Sequence, residues 1–357
     1  MWLSITNLAG GGWVKISYAD TRDAVGKVLS HDVTRIVKGK YKGPAFKKGH
    51  VIKNEDIPLL LDIGKEHICF LELDANEVHE DEAGWFLASF AAGEGLNLEG
   101  PSEGRVDLVA ARDGLLKVDV EGLKQINQLT NVVMASLHTN SPVKKGEKVA
   151  GTRVIPLAVN KEILEGAEKI SQSYYPLLNI SAYLSCKMGA LVTGREVYES
   201  RIEDAFAPVL KEKAEAFGLD EPEIDYAPDD AEIIAAKIKL LLERNHDLIV
   251  VTGGMSVDPD DVTPTGIKLS GAKIEKYGAP VLPGAMLLLA YHGRVPIVGV
   301  PACGMFFRTT VFDLIFPRLL AGERIAAADV AALGHGGFCR RCEKCLYPDC
   351  SFGKGGF

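Results

Sequence analysis

Apolar and polar positions fall into two regimes along the chain. From Ile180 onward, short apolar runs alternate with amphipathic stretches. The order is AYLSCKMGALVTG, a helical pattern over about 197–217, a short strand EIDYAP, a helix opened by Asp229 or Asp230 and running to about Asn245, and the apolar run DLIVVT at 247–252. Beyond a glycine loop, the pattern predicts a short helix near 264–269, strands at 273–277, 286–291 and 296–300, and a last helix over about 305–320. Apolar runs rich in β-branched residues and bounded by turn residues read as buried strands, whereas apolar positions three and four apart read as one face of a helix. Strands separated by helices need crossover connections, so the pattern predicts a three-layer α/β/α domain with a mainly parallel sheet over 180–323.

Before Pro176 the pattern is mixed. VKISY at 14–18 reads as a strand, and Asp20 reads as the N-cap of a helix towards Leu29, its carboxylate taking an orphan N–H of the first turn. FKKGHVI, a helical stretch at about 56–61 and HICFLEL at 67–73 extend a small mixed α/β unit. Between 84 and 170, apolar stretches such as RVDLVA and LLKVDV alternate with glycine-containing turns, and PVKKGEKV precedes another strand; no catalytic constellation stands out there. The resulting scheme is a mixed α/β region at 14–178, the α/β/α domain at 180–323 and a cysteine-rich tail at 334–357.

Composition narrows the function classes. A chain of 357 residues, 47% hydrophobic and 25% charged, is neither a disordered tail protein nor a collagen nor a coiled coil. Forty basic against 48 acidic residues leave a net charge of −8, which argues against a general nucleic-acid binder, since that task needs clustered Lys and Arg against many phosphates. The longest strongly apolar run, at 285–291, is too short to span a bilayer, and MWLSITNLAGGG lacks the basic and apolar segments of a secretory signal. The expectation is a cytoplasmic protein without nucleic-acid or membrane partners.

Candidate chemistry collects in loops that follow the predicted parallel strands, where an open α/β sheet takes its ligands. Thr193 and Gly194 follow the first strand, Thr252, Gly253, Gly254, Met255 and Ser256 follow the third, Pro283 and Gly284 make a further turn, and Pro301, Ala302, Cys303 and Gly304 precede the last helix. Glycine lets backbone amides approach an anion, and the Thr252 and Ser256 hydroxyls add donors, so together the loops describe an anion pocket; each taken singly is also ordinary turn chemistry. Asp258, Asp260 and Asp261 lie just beyond the Gly-Gly turn, and their carboxylates suit Mg²⁺ beside a phosphate or, alternatively, a solvated turn capping the next helix. Arg195 offers a planar fork to an anion or pairs with Glu196 or Glu199. Cys303 is either a thiolate activated by a helix N-terminus or a small buried residue.

DLIVVTGGMSVDPDDVTPTGI resembles the signature of the molybdopterin-binding fold shared by molybdopterin adenylyltransferases and molybdopterin molybdotransferases. LVTGREV is similar to that family's opening strand and loop, VLPGAM to its proline-glycine turn, and VGVPACGMFFRTTVFDLIFPRLLAG to its last strand, turn and helix. DAVGKVLSHDV and FKKGHVIKNEDIPLLLDIGKEHICFLEL resemble the N-terminal region of the molybdotransferases. The resemblance implies a pocket for the pterin phosphate at 193–196, 252–256, 283–284 and 301–304, with Asp261 at the aspartate those enzymes use. Departures are equally visible. Arg195 stands where the family has an acid, Glu199, Ser200 and Arg201 replace an Asp-Ser-Asn-like triplet, Pro301 to Gly304 replaces Pro-Gly-Asn-Pro, and the expectation is that the cysteine-rich tail stands in place of the family's β-rich last domain after Gly322.

The tail carries Cys339, Cys342, Cys345 and Cys350 in the spacing Cys-x2-Cys-x2-Cys-x4-Cys. Consecutive short spacings let one loop present several thiolates to one centre, as in iron–sulfur loops, while structural zinc is normally built from two knuckles set further apart. The expectation is a 4Fe-4S cluster or Zn²⁺, in a separately folded loop joined through a flexible glycine linker at 334–337.

The leading reading is a protein of molybdenum-cofactor metabolism that binds molybdopterin or its adenylated form, with Asp261 and Asp258 or Asp260 positioning Mg²⁺ while molybdate is inserted. The alternative is a non-catalytic carrier, chaperone or redox sensor that serves a client molybdoenzyme, and a third is a nucleotide-processing hydrolase on the same fold. Homo-oligomerisation is left open by the sequence.

Overall fold

A computed structural model describes residues 15–355 apart from Val257, Pro259 and Asp260. The chain forms two compact units: one comprises residues through Arg112 with 116–137 and 143–180, the other 113–115, 138–142 and everything from Ser181 on.

The first unit is built on antiparallel pairing. Lys15–Asp20 pairs with His67–Glu72, and beside that pair Ala24, Leu29, Val33, Ile52, Leu60 and Ile68 form a small core. Asp20 does cap, its carboxylate accepting the Arg22 N–H at 2.9 Å, yet it opens only the single 3-10 turn Thr21–Asp23 and no helix to Leu29. The reason is tertiary. The amides of Gly26 and Leu29 donate to the carbonyls of Ile52 and His50, which ties this stretch down as a turn and an isolated bridge, with Gly26 at φ +83°. The 84–170 region resolves into a four-stranded antiparallel sheet in the order Leu96–Ser102, Arg105–Ala110, Lys148–Val154, Val132–Ser136. Leu87 and Ala88 of helix Glu80–Ala91 and Leu164 and Ala167 of helix Lys161–Ser173 share its core with Leu108 and Met134.

The second unit carries the predicted three-layer α/β/α architecture. Its six strands run in the order Glu223–Ala227, Met188–Thr193, Leu248–Thr252, Val295–Val300, Leu288–His292, Lys273–Tyr277. The first four pair in parallel and the last two antiparallel, so the sheet is mainly parallel. Because strand side chains alternate, each apolar run feeds two cores. Ala190, Val192 and Val250 pack with Phe206, Leu210, Phe312 and Ile315, from helices Phe206–Ala216 and Val311–Leu320. Leu191, Ile249 and Val251 pack on the other face with Ile234, Ile238 and Ile267, from helices Ala231–Glu243 and Thr263–Leu269.

Two expected helices are each split. The 197–217 pattern becomes Arg195–Tyr198 and Phe206–Ala216, because Ser200 turns to φ +58° and the Asp204 carboxylate caps Phe206 N–H at 2.7 Å. The 305–320 pattern becomes Cys303–Phe306 and Val311–Leu320, the second opened by a capping box in which Thr310 and Asp313 serve each other's backbone.

The tail is not a separate body. Leu282 N–H donates to Gly337 O at 2.8 Å and Cys339 N–H returns to Leu282 O at 2.9 Å, while the Tyr347 hydroxyl donates to Asp313 O at 3.0 Å. Phe352 is buried in the same core as Phe312 and Phe316. The glycines expected to form a flexible linker are instead close-packing residues: a Cβ on Gly337 would meet Leu333 O and Pro280 O at 2.5 Å each. Among the described residues, no helix is long and apolar enough to cross a membrane.

Candidate functional site

Strand register brings the candidate loops to one edge of the sheet. Thr252 is opposite both Val192 and Val300 in parallel ladders, so the chain leaves three neighbouring strands side by side, at their carboxyl ends. There the Thr193 hydroxyl donates to Thr252 O at 3.0 Å, and since its one proton is thus used, the Thr263 hydroxyl 3.0 Å away donates to Thr193. All three threonines are buried, and the Thr252 hydroxyl is left without a hydrogen-bond partner. An unpaired buried hydroxyl costs roughly 1–3 kcal/mol, a cost that such a loop edge retains.

Gly253 and Gly254 are required twice over. Their φ angles are +90° and +52°, and a Cβ on Gly253 would lie 2.2 Å from Thr193 O, one on Gly254 2.7 Å from Thr263 Oγ1. The following turn is tied by Asp261, whose Oδ2 accepts Ser256 N–H at 2.9 Å and Asp258 N–H at 3.3 Å. Tyr277 adds a strap, its hydroxyl donating to Met255 O at 2.8 Å; burial, and then the nearby Asp261 charge, push this phenol above its ordinary pKa. Ser256 and Asp258 are exposed, and Asp260 lies outside the described residues.

The other candidates divide. Gly194, at φ +135°, donates its N–H to Ala227 O at 3.1 Å, and the Arg195 N–H is held by Asp229 Oδ2 at 2.9 Å. The Arg195 side chain is exposed, and Glu199 pairs with Arg201. Pro283 and Gly284 are engaged in packing: Pro283 O accepts Val311 N–H at 3.2 Å, and a Cβ on Gly284 would meet Val311 Cγ1 at 2.5 Å. Pro301 O accepts Gly304 N–H at 2.9 Å in a tight turn. Cys303 is half-buried, and burial pushes its thiol up, which fits the alternative of a small buried residue rather than an activated thiolate; the helix it opens is only the four residues Cys303–Phe306. Sequence reasoning missed Thr263, Asp229 and Tyr277. Thr263 precedes a proline at a helix start, and Asp229 precedes the helix cap Asp230, but what each contacts comes from distant strands.

Cys339 and Cys350 are half-buried against the core, whereas Cys342 and Cys345 are exposed. Among the described residues no three His, Cys, Asp or Glu side chains form a group able to hold a metal ion. The metal centre expected at the four tail cysteines is thus not shown by the geometry, and among the described residues Asp258 and Asp261 have no third such ligand beside them. One Asp261 oxygen is taken by two amides and Asp260 lies outside the described residues, so no step is routed through a Mg²⁺ here.

Residues 189–321 match the family model described as a probable molybdopterin binding domain, and residues 19–72 match a domain of unknown function (DUF8806). A CinA-like protein of Mycobacterium avium (strain 104) is 32% identical over 80 residues, which cover 22% of this chain and 18% of that protein. A CinA-like protein of Mycobacterium tuberculosis (strain ATCC 25618 / H37Rv) is 30% identical over 80 residues, covering 22% and 19%. The chain thus spans about a fifth of the length of the curated relatives it matches. Among solved structures, the molybdopterin biosynthesis Mog protein from Mycobacterium ulcerans is similar at 18% identity and a TM-score of 0.32, covering 38% of this chain and 97% of that one. The molybdopterin biosynthesis MoeA protein from Pyrococcus horikoshii is similar at 16% identity and a TM-score of 0.33, covering 68% and 79%.

Proposed function

We propose that the α/β/α domain binds molybdopterin by its phosphate at the 193–195, 252–256 and 301–304 loops, and that the protein works in molybdenum-cofactor metabolism as a binding and carrier protein. The observation that carries this reading is the 252–254 turn. Two glycines in left-handed conformation pack closely on buried threonines at the carboxyl edge of the parallel strands, forming a tight turn whose backbone amides are donors for an anion. The match of residues 189–321 to a molybdopterin-binding domain supports the choice of anion. Arg195, exposed beside Gly194, supplies the charged fork to a phosphate oxygen.

Asp261 acts as a positioning residue in this reading. Its carboxylate shapes the 256–258 backbone, which favours binding over Mg²⁺-dependent insertion of molybdate into adenylated molybdopterin. The cofactor so held passes to a client molybdoenzyme. The test incubates purified protein with molybdopterin, removes free pterin and measures the fluorescence of the oxidised pterin retained. Adenylated molybdopterin with Mg²⁺ and molybdate is assayed in parallel for AMP. Retention without AMP release is the expected result. AMP release would replace the carrier with a transferase, and absence of retention would overturn both.

A further inference from the structure

The four tail cysteines border a cavity of about 480 Å³ that is also lined by the 306–309 segment following the last candidate loop. Both ends of the cysteine loop are pinned: the first by the backbone exchange between Cys339 and Leu282, the second by Tyr347 on Asp313 and by buried Phe352. Between these anchors, 340–346 contains neither helix nor strand, so no ladder keeps Cys342 and Cys345 apart from the other two thiols. The thiol of Cys345 sits 3.2 Å from Thr309 Oγ1, and the Arg341 N–H donates to Cys339 Sγ at 3.5 Å. Four cations, Arg308, Arg340, Arg341 and Lys344, line the same cavity.

We propose that Cys339, Cys342, Cys345 and Cys350 close on one thiophilic metal centre in this cavity, the 340–346 segment folding inward as it binds. Four thiolates around a divalent ion carry a net charge of −2, and the four cations lining the cavity offset it. The Thr309 hydroxyl and the Arg341 amide become donors to coordinated sulfur, the outer partners that orient ligands and tune a metal site. On uptake of a divalent ion the thiols lose their protons to water as metal–sulfur bonds form, with no change of oxidation state, and an already assembled cluster is ligated by the same proton loss. Zinc and an iron–sulfur cluster share this donor set, and the experiment separates them. The site stands apart from the pterin reading, since no pterin is needed to fill it.

The test uses the full chain purified anaerobically, with metal and acid-labile sulfide measured and zinc titrated against a chromogenic chelator. Zinc without visible absorption, or iron and sulfide with broad visible absorption, supports the site and names its occupant. Cys342→Ser, at an exposed position that tolerates the change, is expected to weaken metal affinity by at least about a hundredfold, whereas Cys69→Ser in the other unit leaves it unchanged. Loading is further expected to protect Cys342 and Cys345 from alkylation. Protein that holds no metal as isolated and takes up neither zinc nor reconstituted iron and sulfide overturns the proposal, as does a Cys342→Ser variant with unaltered affinity.

Discussion

Replacing Gly253 with alanine separates the two reasons for a glycine at that position. The φ of +90° by itself costs an L-residue about 1–2 kcal/mol. The added Cβ also falls 2.2 Å from Thr193 O, a backbone atom at the end of a central strand that has no free rotor by which to retreat. Forcing an atom into such a site costs about 1–3 kcal/mol more, for a total of roughly 2–5 kcal/mol. Gly293→Ala is the matched control: its φ is +60°, and nothing lies within 4 Å of the new Cβ, so it pays the conformational cost alone. Hydrogen-exchange mass spectrometry of peptides spanning 247–256 reads the difference. Protection in Gly253→Ala is expected to fall further than in Gly293→Ala by about 5- to 150-fold, which is the clash cost expressed as a ratio. Equal losses in the two variants would refute the close-packed description of the turn. Pterin retention, measured on the same samples, is expected to vanish in Gly253→Ala and persist in Gly293→Ala.

Asp261→Asn keeps a carbonyl oxygen for the Ser256 and Asp258 amides and is expected to retain molybdopterin within about threefold, whereas Asp261→Ala loses about tenfold; a metal-positioning role would make both variants equally defective. Phe352→Ala is expected to destabilise the α/β/α unit by about 3–5 kcal/mol in thermal or denaturant unfolding, and truncation after Leu333 is expected to do so as well; an unchanged transition would show that the tail is separable. Asp107 is partly desolvated, which raises its pKa, but bonds from Lys148 and Arg105 outweigh this and hold it below the usual carboxylate value. A depressed carboxyl adds stability above its unfolded pKa and loses it as pH falls through the folded one, so Asp107→Asn is expected to flatten the acid limb of the stability–pH curve of the first unit.

The sequence by itself determined the α/β/α domain, because its strands are buried on both faces and its helices are amphipathic, and those periods survive any tertiary context. It also placed the candidate glycine-bearing loops directly after predicted strands, while the order of those strands came only with the structure. Tertiary structure decided the rest where a residue's role depends on a partner far along the chain. Gly26 and Leu29 are tied by their amides to Ile52 and His50, so a competent N-cap at Asp20 starts no helix. Ser200 and Thr310 break helices that apolar spacing alone runs together. Asp261 reads as a metal ligand from its acidic neighbours, yet its oxygen is taken by backbone amides three and five residues away. The 334–337 glycines read as a flexible linker, but Pro280 O and Leu333 O leave no room for a Cβ at Gly337. Composition cannot distinguish a glycine that bends from a glycine that packs, because the difference lies in the neighbour and not in the residue.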